Sequence, residues 1–267
     1  MRRAIIYLDG SPNDKESLGF ALSFCDALNC RLTVSLILPP EEIMPAAMDS
    51  VVTVIDNRAE HDAAQALGRA AYKEMCTGKA FVDYVESPLG IVDAIAEGGH
   101  LYDVTILERL NSTEGSEVTD FNAALFDSGA PVLISPPGHA TWKAEHVTLV
   151  WNNTMQAARA IRSSVPFLKK AKSVVVLTNS ANEVADPDEV KRYLACHEIV
   201  AEAKSFKSDN LTARGRGKAV LAAAAEAGSD VLVMGAFGES QISALLGLGR
   251  ATEKIVTACK IPVLVQA

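Results

Sequence analysis

Short apolar runs alternate with longer stretches of helical periodicity along almost the whole chain. Residues 3–8 read as a strand, Asp9-Gly10-Ser11-Pro12 as a turn, and 13–28 as a helix with Leu18, Ala21, Leu22, Cys25 and Leu28 on one face. A second strand over 31–38 is closed by Pro39-Pro40, which makes a βαβ opening with a right-handed crossover. Residues 41–57 form a weakly patterned connection in which Pro45 excludes a clean helix at the start. The pattern then predicts a helix over 58–77, a strand over 80–85, a helix over 88–97 and a strand over 104–107. A helix over 117–126 and a closing strand over 131–134 follow, with Pro131 expected at a sheet edge, where a missing amide costs little. Pro136-Pro137-Gly138 reads as a linker.

The same order then starts again. Strand 147–151 leads into Asn152-Asn153-Thr154, in the place of Asp9-Gly10-Ser11, and a helix over 156–168 precedes a strand over 173–177. Asp186 is a helix cap with Pro187 at the first helical position, opening a helix to 197. A strand over 199–205 and an alanine-rich helix over 218–227 complete the approach to Asp230. Asp103-Val104 to Pro131-Val132-Leu133 and Asp230-Val231 to Pro262-Val263-Leu264 correspond, which is the mark of an internal duplication. The expected architecture is α/β: two tandem Rossmann-like domains, 1–138 and 139–267, each a parallel sheet with helices on both faces.

The richest stretch is Val231-Leu232-Val233-Met234-Gly235-Ala236-Phe237-Gly238, continued through Gly247, Leu248, Gly249 and Arg250. Two glycines break a buried strand where it leaves the sheet, and ligands of open α/β folds bind there. Amides at the start of the helix predicted from Gly249 to Cys259 suit phosphate oxygens. This stretch resembles the nucleotide loop of the universal stress protein family, matching at Gly235 and Gly238, with the third glycine displaced by one residue to Gly249-Arg250. The resemblance extends over both halves, including Tyr193-Leu194-Ala195-Cys196-His197 and the Trp151-Asn152 turn. It implies five strands per domain in the order 3-2-1-4-5, closing strands that pair domains, and an adenine nucleotide such as ATP as ligand. It also implies a nucleotide-contacting aspartate at the end of the first strand. Asp9 holds that position in the first half and Asn152 in the second.

The nucleotide-binding residues expected on this basis are Asn152, Met234, Gly235, Gly238, Gly249 and Arg250. Asn152 offers both a donor and an acceptor to a base or ribose edge. In the first half Glu108 and Asn111 stand where Gly235 and Gly238 stand in the second, and a carboxylate there would repel a phosphate chain, so that loop is expected to bind nothing.

Composition narrows the classes. A net charge of −8 and pI near 5.2, with no basic run, argue against nucleic acid and anionic membranes as partners. Five cysteines without a C-x-x-C pair favour free thiols in a reducing compartment, hence the cytoplasm. The opening apolar run is too short for a signal peptide, and no run is long enough to span a membrane.

His61, His100, His139, His146 and His197 are scattered, so no metal site is expected, and His197 suits a helix end. Gly215-Arg216-Gly217-Lys218 lacks the flanks of a phosphate-binding Walker motif and reads as a basic turn. No nucleophile elbow or triad can be assembled, so no catalytic residues are assigned. Cys25 and Cys259 lie on apolar helix faces and read as core.

Three functions remain open. The first is a stress-response regulator with a nucleotide site in its second half, pairing as a homodimer or as an internal pseudo-dimer. The second is a nucleotide-free interaction module with degenerate sites. The third is an adenine-nucleotide hydrolase, at most weakly active.

Overall fold

The computed structural model describes residues 1–37, 46–48, 51–53, 58–112, 116–207, 212–236 and 250–267. The first half contributes strands β1 (Arg3–Leu8), β2 (Arg31–Ile37), β3 (Ala46–Met48), β4 (Val51–Thr53), β5 (Val82–Ser87), β6 (Val104–Glu108) and β7 (Val132–Ser135). Its helices are α1 (Asp14–Leu28), α2 (Arg58–Cys76), α3 (Ile91–Gly98) and α4 (Ser116–Asn122). The second half contributes β8 (His146–Trp151), β9 (Ser173–Asn179), β10 (Glu202–Phe206), β11 (Val231–Gly235) and β12 (Val263–Gln266). Its helices are α5 (Met155–Leu168), α6 (Pro187–Ala195), α7 (Ala213–Glu226) and α8 (Arg250–Ala258).

Ten strands form one sheet in the order β10-β9-β8-β11-β12-β7-β6-β1-β2-β5. Each half therefore has the order 3-2-1-4-5, and all pairings within a half of this sheet are parallel. The halves meet through β12 and β7, antiparallel, with Val263 opposite Ile134, Leu264 opposite Leu133 and Val265 opposite Val132. All six side chains are buried, so the seam is an apolar continuation of both sheets. Side chains alternate across the sheet: Ala4, Ile6 and Leu8 enter one core, Ile5 and Tyr7 the other.

The duplication is visible in individual hydrogen bonds. The Asp103 carboxylate accepts from the amides of Arg2 at 2.5 Å and Arg3 at 3.0 Å, and Asp230 accepts from those of Glu145 and His146, both at 3.0 Å. The amide of Thr105 donates to the Pro131 carbonyl and that of Leu232 to the Pro262 carbonyl, both at 3.0 Å. In each half one aspartate ties the start of the first strand to the start of the fourth, and one proline carbonyl seats the fifth.

Segment 136–145 also joins the halves. Trp142 packs edge-on against Phe20, Phe24 and Phe167, with ring centroids 5.8, 5.0 and 5.4 Å away, so it bridges α1 and α5. Its amide donates to Ser23 Oγ at 3.0 Å.

Several expectations are corrected. The sequence places the closing strand of the first half at an edge because of Pro131, yet β7 lies inside the sheet between β6 and β12. Pro131 precedes the strand, so no ladder amide is lost. The connection over 41–57 contains the two-stranded ladder of β3 and β4, while Pro39, Pro40 and Pro45 lie outside the described residues. Gly215 to Lys218 is the first part of α7 and not a turn. Thr212 caps that helix by accepting from the Gly215 amide at 3.1 Å. β10 begins at Glu202; the apolar pair before it splits, with Ile199 buried and Val200 87% exposed. Asp186 does cap α6, accepting from the Asp188 amide at 2.8 Å, with Pro187 first in the helix.

Candidate functional site

In each half the strand order reverses between the first and fourth strands, and this opens a crevice beyond their carboxyl ends. In the second half those strands are β8 and β11. β8 leads into Asn152, then Asn153 in the left-handed region at φ 58, then Thr154. Thr154 caps α5 by accepting from the Ala157 amide at 3.2 Å, and its hydroxyl donates to Asn152 Oδ1 at 2.7 Å. Asn182, from the turn after β9, donates to the Asn152 carbonyl at 3.4 Å. Asn152 is thus half-buried and held in place, with its Nδ2 donors directed by the bond at Oδ1. Thr154 and Asn182 were not singled out from the sequence. The cap pattern of Thr154 was readable there, whereas Asn182 reaches Asn152 only through the fold.

Gly235 ends β11. A Cβ built on it would fall against the Ala157 nitrogen and 2.6 Å from the Gln156 carbonyl carbon, so glycine lets this strand end touch the first turn of α5. Met234 points to the other face and is buried with Val220, Ala224, Ile255 and Val256. What Met234 can offer a ligand is therefore its main chain. Arg250 is the first residue of α8, and the next residue, Ala251, lies against Gly217 of α7. Gly238 and Gly249 lie outside the described residues. Among the predicted set, Asn152 and Gly235 are brought to the same end of neighbouring strands, both against the start of α5.

The matching crevice of the first half is a cavity of about 140 Å³. Five carboxylates line it: Asp9, Asp14, Glu108, Glu117 and Asp120. Glu108, last residue of β6 where β11 has Gly235, accepts from the Ser17 hydroxyl and from Asn13 Nδ2 at 3.3 Å. Asp9 accepts from the Ser11 amide at 2.9 Å, and Asp14 from the Gly10 amide at 3.0 Å. Gly10 sits at φ +82, and a Cβ there would lie 2.6 Å from the Ala64 Cα, so α2 closes down over this turn.

Burial, then the charge of Asp9, pushes the Asp14 carboxyl up to about 7, against the opposing Gly10 and Asp9 hydrogen bonds. Burial, then Asp9 and Glu117, raises Asp120 to about 6. So many acids crowded into one cavity oppose a polyphosphate.

Among the described residues, Glu145, His146 and Asp230 could hold a metal ion. They lie at the opposite end of the sheet. Lys143 stands 3.4 Å from Glu145 and 3.5 Å from Asp230, and His146 Nδ1 is 2.8 Å from Ser173 Oγ. Asp230 performs there the same strand-tying role as Asp103. His197 lies just past α6, its ring edge-on to Tyr193 at 4.9 Å.

With this geometry in place, the chain is a doubly wound α/β protein made of two like halves. The model of the Universal stress protein family matches residues 156–266, from the first turn of α5 to the end of β12. A universal stress protein from Archaeoglobus fulgidus DSM 4304 is 18% identical, with a TM-score of 0.72 over 99% of this chain and 95% of that one. A functionally unknown protein from Pseudomonas aeruginosa PAO1 is 13% identical, with a TM-score of 0.60 over 100% of this chain and 92% of that one. Both show the fold across its full length. No curated protein sequence matches this chain. No described helix is long and apolar enough to cross a membrane.

Proposed function

We propose that the chain is a tandem universal stress protein with units 1–138 and 139–267, a stress-response regulator of the cytoplasm. Its second unit binds ATP or a related adenine nucleotide. Asn152 receives the base or ribose edge, and the main chain of Met234 and Gly235 lines the nucleoside side. Gly238, Gly249 and Arg250 hold the phosphates with amides and positive charge. The two units act as an internal pseudo-dimer, and the protein works by binding, without catalysis.

The observation that carries this reading is the asymmetry between the two crevices. At the fourth-strand exit the first unit has the Glu108 carboxylate, bonded to Ser17 and Asn13, inside an acidic cavity. The second unit has Gly235 and, beside it, Asn152 with amide donors and no charge. The free cysteines agree with a reducing compartment.

Photo-crosslinking with an azido-adenine nucleotide tests the assignment. Label on peptides from the β8–α5 turn or the stretch after β11 supports it. Competable label confined to the first unit overturns it.

One observation favours the second reading, an interaction module without nucleotide. The glycine at 235 is already required by the approach of α5, whether or not a ligand binds. In that case the same crosslinking yields no competable label in either unit.

A further inference from the structure

The helix α1 ends in a Schellman motif. Asn29 adopts the left-handed conformation at φ 52 and ψ 48, the Cys30 amide bonds the Cys25 carbonyl at 3.0 Å, and the Asn29 amide bonds that of Asp26 at 3.3 Å. This motif brings together the side chains three residues before and two residues after the helix end, in the usual case as an apolar contact. Here both positions are cysteine. Cys25 has no solvent exposure and Cys30 has 4%, and each thiol is the other's hydrogen-bond partner.

We propose that Cys25 and Cys30 are a redox pair that closes to an intramolecular disulfide across the end of α1 when the protein meets hydrogen peroxide. The local backbone, not a distant rearrangement, sets the two sulfurs within reach of one another, which is the geometric condition such a bond requires.

The two thiols are not equivalent. The hydrogen bond from Cys25 lowers the Cys30 thiol from its ordinary value, while the same bond and burial raise Cys25. The thiolate is the nucleophile, which assigns the attack to Cys30, although both residues are buried. Cys30 sulfur attacks one peroxide oxygen, the O–O bond breaks, and the departing hydroxide takes a proton to leave as water. Cys25 sulfur then attacks the Cys30 sulfenic acid, giving up its proton as the S–O bond breaks and a second water departs. The balance is two thiols and one peroxide giving one disulfide and two waters.

The turn sits at the joint between the halves. The Ala27 carbonyl, in the same last turn, accepts from Lys170 Nζ, and Phe24 packs on Trp142. Oxidation there would fix the α1 side of that joint. The other thiols provide the contrast. Cys196 is exposed and its Sγ donates to the Arg192 carbonyl at 3.4 Å, whereas Cys76 and Cys259 are as buried as the pair and burial raises both thiols.

The test uses the full chain treated with hydrogen peroxide, unfolded in N-ethylmaleimide and cut with trypsin, because residues 16–31 form one tryptic peptide holding both cysteines. The expected result is a peptide about 2 Da lighter that takes up no maleimide, reversed by a phosphine reductant. In Cys25→Ala, dimedone should trap Cys30 as its sulfenic acid; in Cys30→Ala, Cys25 should remain alkylatable. Two maleimides on the wild-type peptide while Cys196 is oxidised, or a bond from either residue to Cys76, overturns the proposal. The wild-type measurement decides the pairing even if a variant folds poorly.

Discussion

Gly235 and Ala157 touch through their backbones: the end of β11 lies so close to the first turn of α5 that a Cβ on Gly235 would meet the Ala157 nitrogen. Backbone cannot yield as a flexible side chain can. Gly235→Ala is therefore expected to destabilise the second half by roughly 1–3 kcal/mol through overpacking. Chemical denaturation would read this as a lower midpoint. An unchanged midpoint would mean that the glycine is there for a ligand alone.

The acidic cavity predicts a pH dependence of unusual sign. Asp14 carries a folded-state value near 7, above its unfolded value, so the folded protein binds that proton more tightly. Stability therefore falls as pH rises from about 4 to about 7, the reverse of a salt-bridged carboxylate. Asp14→Asn keeps an acceptor for the Gly10 amide while removing the charge. It should raise the melting temperature at pH 8, by a stabilisation on the order of 1–3 kcal/mol, and leave it nearly unchanged at pH 4. An equal effect at both pH values would contradict the assignment.

Trp142 is the aromatic joint between the halves. Trp142→Ala removes three edge-on contacts and should cost about 3–5 kcal/mol. Calorimetry should then resolve two transitions in place of one cooperative one. A single transition at the original temperature would show that the β7–β12 seam alone couples the halves.

Asp103 and Asp230 make the same pair of backbone bonds in the two copies. Each replaced by alanine strands two amides, a loss of roughly 1–3 kcal/mol. Comparable losses are expected for both variants, measured by denaturant midpoints. A metal role for Asp230 predicts instead that added zinc or nickel raises the melting temperature of the wild type but not of Asp230→Ala.

The repeat and most element positions were legible because buried parallel strands leave apolar runs and caps leave polar ones, as at Val231–Gly235 and Asp186-Pro187, whereas the strand order came from the family resemblance alone. What escaped was tertiary. Gly215 and Gly217 look like a turn, yet they lie inside α7. A Cβ on Gly217 would come 2.7 Å from the Ala251 carbonyl oxygen, so glycine there answers to the crossing of α7 and α8. β10 is a polar edge strand with little pattern of its own, and apolar Ile199-Val200 drew the prediction toward the preceding loop.

At the candidate site, the sequence pointed to Asn152 and Gly235 but could not say that Gly235 packs on α5, that Met234 turns into the core, or that Thr154 holds Asn152. In the first half the substitution of Glu108 for glycine was readable. Its binding to Ser17 and Asn13, and the gathering of Asp14 and Asp120 around it, depend on α1 and α4 folding over the same strand end.

Whether only the second copy accepts nucleotide is read by titrating the full chain with a fluorescent ATP analogue at neutral pH. The expected result is saturation at one equivalent per chain, competition by unlabelled ATP, a loss of roughly tenfold or more in Asn152→Ala, and no change in Asp9→Ala. Absence of saturation at millimolar nucleotide, or a loss on replacing Asp9 and not Asn152, would contradict it.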